Sequence, residues 1–298
     1  MDLELLDKIK RLAIVSMFSD DELMERLVLK GGNALDIVHR VADRASLDLD
    51  FSIEGDFKPS ELGPLKEKIT GRLTETFANE DLYVFDVSFA EKPTQVSADM
   101  ADFWGGYQIE FKVIPRESIY ELDGSQELMR KRAIETNPRH HKKFRIEISK
   151  FEFCSHKEEA DLDGYTIYVY SPIMIVIEKL RAICQQMKEY DQTVHSPSRA
   201  ARARDFFDIY TVLQACDVDL TSETSTQLLE SIFEAKRVPL AFLANLGEYR
   251  EYHRPDFDAV KDTVKPEVEL QDFDFYFDYV LEIARSLEIL WKVQPPLT

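Results

Sequence analysis

The sequence predicts an α+β protein, with a mixed sheet and helices in residues 1–170 and a helical bundle in residues 171–298. Three observations carry that expectation. Before Pro172, apolar and polar residues alternate with period two in about six short runs; beyond it, apolar residues recur almost continuously at three-to-four spacing. The composition, 44% hydrophobic and 31% charged over 298 residues, is that of an ordinary globular chain long enough for two cores.

Leu3 to Phe18 reads as an amphipathic helix, because Leu5, Leu6, Ile9, Leu12, Ala13 and Val15 fall on one stripe. Leu27 to Lys30 reads as a short strand and Gly31-Gly32 as a tight turn. Asn33 is expected to cap a helix over Ala34 to His39. Asp48 to Ile53 alternates as a second strand, with Leu47, Leu49 and Phe51 turned to the core. Pro59 to Ala78 is a helix opened by its proline. Further strands are expected at Tyr83 to Phe89, Tyr107 to Ile114, Phe144 to Phe151 and Tyr165 to Tyr170. Helices follow at Pro172 to Tyr190, Ser198 to Ala215, Ser222 to Ala235, Pro239 to Tyr252 and Asp272 to Trp291. The aromatic cluster DFDFYFDY, Asp272 to Tyr279, opens the last of these and reads as core with acidic caps rather than a base-stacking surface.

Cys154, Cys184 and Cys216 form no C-x-x-C pair, which argues against zinc ribbons, redox dithiols and disulfide frameworks and suits a reducing cytoplasm. No apolar run approaches a membrane span. The formal charge of -19 argues against non-specific coating of nucleic acid. One segment stands apart. Arg130 to Arg145 carries seven Lys or Arg against one Glu, a local +6, which leaves -25 on the rest of the chain. It is either a solvated loop around Pro138 or a strip that docks a polyanion.

The informative stretch is Lys30 to Phe51, in which a strand, a glycine turn and a helix start are followed by a D-x-D pair. Glycines let backbone amides approach a phosphate, and a helix N-terminus favours an anion. In a strand, residues two apart face the same side, so Asp48 and Asp50 project together. Their mutual repulsion is relieved by a divalent metal, and an all-oxygen set is what Mg²⁺ takes when it also binds substrate phosphates. Either half alone is commonplace; the two in this order are more specific. Walker A, G-x-G-x-x-G and H-E-x-x-H patterns are absent.

The run K-G-G-x-A-L, followed by R-x-S-x-D-x-D-F at Arg44, Ser46, Asp48, Asp50 and Phe51, resembles motif I of the AbiEii/AbiGii toxin family of DNA polymerase β-like nucleotidyltransferases. Glu147 in FRIEISK is similar to that family's third-acid strand. E-K-L-R-A at Glu178 to Ala182 resembles its lysine motif, and R-D-F-F-D-I-Y at Arg204 to Tyr210 its closing motif. The resemblance covers residues 27 to 213. It implies a polymerase β-like domain followed by a helical domain, and transfer of a nucleoside monophosphate from an NTP. It further implies Mg²⁺ on Asp48, Asp50 and Glu147, and nucleotide contacts from Lys30, Gly31, Gly32, Asn33, Ser46 and Lys179. Lys179 would reach the β- and γ-phosphates, and Asp205 would hold Lys179 or a substrate group. Nucleotidyltransferases at large place a serine after the first glycine of the turn, where this chain has Gly32 and then Asn33. Asp86 and Glu110 stand as alternatives for the third acid. A tRNA 3′ end held by Arg130 to Arg145 is the implied acceptor and an antitoxin the implied partner. A protein or small-molecule acceptor such as an aminoglycoside, or a non-catalytic sensing module, are the other readings.

Overall fold

The computed structural model describes residues 2–44, 46, 48–137, 140–195 and 199–292. Leu47, Pro138 and Ser198, which figure in the expectations above, lie outside the described residues. The chain forms two compact units. One comprises Met1–Asn33 and Leu47–Val169, the other Ala34–Ser46 and Tyr170–Thr298. Ala34–Ser46, thirteen residues between the glycine turn and the D-x-D pair, group with the helical unit.

The first unit is built on a seven-stranded mixed sheet: β1 Val28–Lys30, β2 Leu49–Ser52, β3 Leu82–Lys92, β4 Gly106–Pro115, β5 Phe144–Ser149, β6 Glu158–Leu162 and β7 Tyr165–Val169. Their spatial order is β3-β4-β5-β2-β1-β7-β6. β2 runs parallel to β5 and β1 parallel to β7, while the other neighbours are antiparallel. Alternation gives the sheet an apolar and a polar face. Leu49, Phe51, Ile109, Phe111, Ile146 and Ile148 are buried, whereas Asp50, Gln108, Glu110, Arg145 and Glu147 are only half-buried. Helices Leu3–Phe18 and Leu62–Ala78 cover apolar surface, with Phe18 against Phe51 and Phe77 edge-on to Phe111.

The sequence led to six strands, and β6 is the seventh. Its residues, EEADL, are poor strand formers, and it sits at the sheet edge, where charge is tolerated and discourages further pairing. The Asp163-Gly164 turn joining it to β7 is the hairpin signal that betrays it. The helix Gln126–Arg132, which runs into the start of the basic segment, is likewise absent from the sequence expectations.

In the second unit the main helices are Pro172–Cys184, Ala203–Ala215, Glu223–Glu234 and Phe273–Ser286. Three are shorter than expected. The first stops at Cys184, and Tyr190, read as its end, lies in a 3-10 turn with its hydroxyl donating to the Lys236 carbonyl. The expected helix Pro239 to Tyr252 is mostly a 3-10 segment, Leu240–Tyr249, in a stretch that includes Asn245 and Gly247, both weak helix formers. The last helix breaks at Leu287 before a short turn, Glu288–Lys292. The aromatic cluster is core: Phe273, Tyr276 and Phe277 are buried against Phe206 and Phe207, and Asp272 caps the helix by accepting from the Phe275 amide. Burial raises the Cys184 thiol pKa, as suits an inert core cysteine.

Phe51 is fully buried one residue beyond Asp50, so Phe51→Ala is expected to lower unfolding free energy by about 3–5 kcal/mol. Tyr120→Ala, at an exposed position, should change it by less than about 0.5 kcal/mol. Urea unfolding followed by circular dichroism measures both.

Candidate active site

Lys30 ends β1 directly opposite Asp50 of β2. The ammonium of Lys30 is buried and lies 3.5 Å from the equally buried Glu152, so this lysine sits in an internal ion pair rather than on an open phosphate cradle. Gly31 follows with φ +71°, and a Cβ built there would come within 2.7 Å of an Asp50 carboxylate oxygen. Only glycine permits both the left-handed turn and this approach. Asn33 is fully buried, and its Nδ2 donates to the Asp48 carbonyl oxygen at 2.6 Å.

The helix expected over Ala34 to His39 is instead a π-helical turn, Ala34–Val38, after one turn at Gly31–Asn33. The amide of His39 donates to the Ala34 carbonyl and that of Val41 to Leu35, spacings too wide for an α-helix. Asn33 therefore does not cap a regular helix with its side chain. So short an element offers little dipole to an anion.

Asp48 is exposed just before β2, and Asp50 is half-buried within it. The parallel pairing of β2 with β5 sets Asp50 opposite Glu147, so both carboxylates emerge from the polar face of adjacent strands. Gln108, opposite Glu147 on β4, donates its amide to that carboxylate at 3.2 Å. The alternative acids are otherwise engaged. Glu110 accepts from Lys143 at 2.6 Å and Arg145 at 3.5 Å, and the Lys143 hydrogen bond leads the causes that lower its pKa. Asp86 sits at a bulge on edge strand β3, where hydrogen bonds from Arg130 and Lys112 outweigh burial and bring its pKa down to about 2. Among the described residues no three His, Cys, Asp or Glu side chains converge on a ready-made metal position. Asp48, Asp50 and Glu147 nonetheless offer the oxygen-only donors that suit a hard divalent cation.

A cavity of about 210 Å³ opens beside Asp48, lined by Leu6, Lys10, Asp48, Thr136, Asn137, His141, Lys143, Phe144 and Arg145. Six of these belong to the basic segment. That segment is not a free polycation. Arg130 pairs with Asp86, Lys131 with Glu127, Arg132 with Glu121, Lys142 with Glu135, and Lys143 and Arg145 with Glu110. Glu135 lies within the segment, and the local +6 counted along the chain is answered by Asp86, Glu110, Glu121 and Glu127 from outside it. Most of these pairs are exposed and exchange partners readily.

The second unit buries a different cluster. Arg44 makes a two-pronged contact with Asp208, at 2.7 and 2.6 Å. The ammonium of Lys179 donates to Asp208 at 2.7 Å and to Asp205 at 2.9 Å, and Arg202 reaches Asp205 at 3.3 Å. Burial alone would raise the Asp208 pKa, but Arg44 and Lys179 outweigh it and hold it down to about 2. Asp205 is likewise lowered against its burial by Lys179 and Arg202, and Lys179 is raised against its own burial by the two aspartates. Engaging a phosphate would require Lys179 to leave two carboxylates. Arg204 stands four residues before Asp208, at helical pairing distance, yet Asp208 pairs with Arg44, 164 residues away. Ser46, half-buried, lies on the same returning segment.

The profile of the nucleotidyl transferase AbiEii toxin family, type IV toxin–antitoxin system, matches residues 13–279. The chain belongs to this family. Members are nucleotidyltransferases, so the protein is a transferase that uses an NTP, and as a type IV toxin it has an antitoxin as partner. Among curated proteins none matches the chain. Two solved structures are similar to the chain over most of its length. JHP933 from Helicobacter pylori shows 15% identity over 96% of this chain and 91% of its own, with TM-score 0.47. An antigenic nucleotidyltransferase-like protein from Paracoccidioides brasiliensis shows 15% identity over 85% and 91%, with TM-score 0.35. No helix among the described residues of this AbiEii family member is long and apolar enough to cross a membrane.

Arg44→Met removes one of the two cations that pair with buried Asp208, leaving Lys179 as its remaining partner, and is expected to cost about 3–5 kcal/mol at pH 7. Because the folded-state pKa of Asp208 lies below its unfolded value, the stabilisation is complete above about pH 4 and fades as pH falls toward about 2. Urea unfolding at pH 7, 4 and 3 should show the gap between parent and variant narrowing with acid.

Proposed function

We propose that this AbiEii toxin transfers a nucleoside monophosphate from an NTP to a hydroxyl at the 3′ end of tRNA, with Mg²⁺ held by Asp48, Asp50 and Glu147. The observation that carries the catalytic part is the register of Asp50 against Glu147 beside the glycine turn. Bound there, Mg²⁺ neutralises the triphosphate and lowers the pKa of the attacking hydroxyl. The acceptor oxygen attacks the α-phosphorus, the bond to the β-phosphate bridge breaks, and pyrophosphate leaves. Glu147, oriented by Gln108, accepts the hydroxyl proton. Gly31 permits close seating of Asp50, and the backbone amides of Gly32 and Asn33 would serve the phosphates. In this account Lys179 and Asp205 act through the network that anchors Arg44.

The acceptor assignment is supported by the cavity beside Asp48, where Lys143 and Arg145 both pair with Glu110, Arg145 also lying 4.0 Å from Glu147, and can exchange Glu110 for phosphodiesters. The test incubates purified protein with total RNA, Mg²⁺ and each α-³²P-labelled NTP. Label should enter tRNA-sized bands, and Asp50→Asn should abolish it. Lys143→Gln with Arg145→Gln should weaken RNA binding and reduce its salt slope by about 2, leaving NTP affinity unchanged. Label on a protein or small molecule, or an unaltered salt slope, would overturn the RNA assignment.

A further inference from the structure

We infer that Asn33 is a positioning residue for Asp48. Asp48 lies just outside the β2–β5 ladder, whose register begins at Leu49, and the segment leading to it folds with the other unit. What the fold supplies instead is the Asn33 side chain. Its Nδ2 donates to the Asp48 carbonyl at 2.6 Å from a fully buried position. The other half of the same amide, Oδ1, is buried with no hydrogen-bond partner among the described residues. A buried amide left half-satisfied is costly, and an apolar residue or a serine would avoid the cost. Serine is too short to span from this backbone to the Asp48 carbonyl, and an ionised aspartate would present oxygen to oxygen. Asparagine supplies both the length and the donor.

The turn thus acts on both carboxylates. Gly31 makes room for Asp50, and Asn33 fixes the peptide from which Asp48 projects. Groups that orient a metal carboxylate from behind commonly matter as much as nearby contacts to substrate. Asn33 lies beside the phosphate-facing turn, yet its side chain is spent on the carboxylate pair. The effect belongs in turnover and metal affinity rather than in NTP binding.

The inference rests on Asp48 holding the divalent cation, and one experiment separates the two. Mn²⁺ binding to the full-length protein, without NTP, is measured by water-proton relaxation for the parent, Asn33→Ala, the isosteric Asn33→Asp and Asp48→Asn. Melting temperatures and steady-state transfer kinetics accompany each. Asp48→Asn should lose Mn²⁺ binding. Both Asn33 variants should bind Mn²⁺ about 10- to 100-fold more weakly, with kcat reduced on the same scale and KM for NTP within about twofold. Asn33→Asp, which keeps the volume, carries the test if the alanine variant melts early. If Asp48→Asn keeps its Mn²⁺, the cation assignment fails and the role of Asn33 with it. If Asp48→Asn loses Mn²⁺ while folded Asn33 variants bind it like the parent, the positioning role alone is overturned, whatever their melting temperatures.

Discussion

The two-pronged bond between Arg44 and Asp208 is the interaction on which the arrangement of the motif depends. The chain leaves the sheet after Asn33, runs through Ala34–Ser46 within the helical unit, and returns at the D-x-D pair. That excursion has almost no regular structure to hold it. Arg44 ties its end to Asp208, the Lys265 amide bonds the Asp43 carbonyl, the Lys265 ammonium bonds the Ala42 carbonyl, and His39 reaches the Tyr170 carbonyl. Buried charge is expensive, and a guanidinium with an ammonium against two aspartates brings the cluster close to balance. The basic residue of the first motif, the lysine motif and the closing motif thereby form one physical object, although 164 residues separate its ends.

The sheet contributes a different constraint. Its apolar face must be buried, which fixes the register of β2 against β5 through Leu49, Phe51, Ile146 and Ile148. A slip by one residue would bury Asp50 and expose Phe51. The same packing that stabilises the unit therefore places Asp50 opposite Glu147 on the polar face, with no separate interaction needed to bring them together.

Much of this was legible in the chain, because period and spacing are local. Leu3–Phe18, the strands around Asp50 and Glu147 and the helix carrying Lys179 follow from apolar alternation or helical stripes. What escaped is non-local. The acids that answer the basic segment come from β3, β4 and two short helices, so a charge count along the sequence overstates its field. The partner of Asp208 lay 164 residues upstream, while a plausible one stood four residues away. β6 was hidden by acidic composition that only an edge strand tolerates. The π-turn after the glycines looked helical because its apolar residues are spaced as a helix would space them, yet the tertiary anchoring of Ala34–Ser46 decides its conformation.

The central claim is that the polar face of β2 and β5, rather than the acids on β3 and β4, carries the transfer. Single-turnover incorporation from an α-³²P-labelled NTP, measured side by side for Glu147→Gln and Glu110→Gln, tests it most directly. Glu147→Gln should slow transfer by about 10²- to 10⁴-fold, and Glu110→Gln, which loses only its pairs to Lys143 and Arg145, should stay within a few-fold of the parent. Full activity in Glu147→Gln, or a larger loss in Glu110→Gln, would contradict the account.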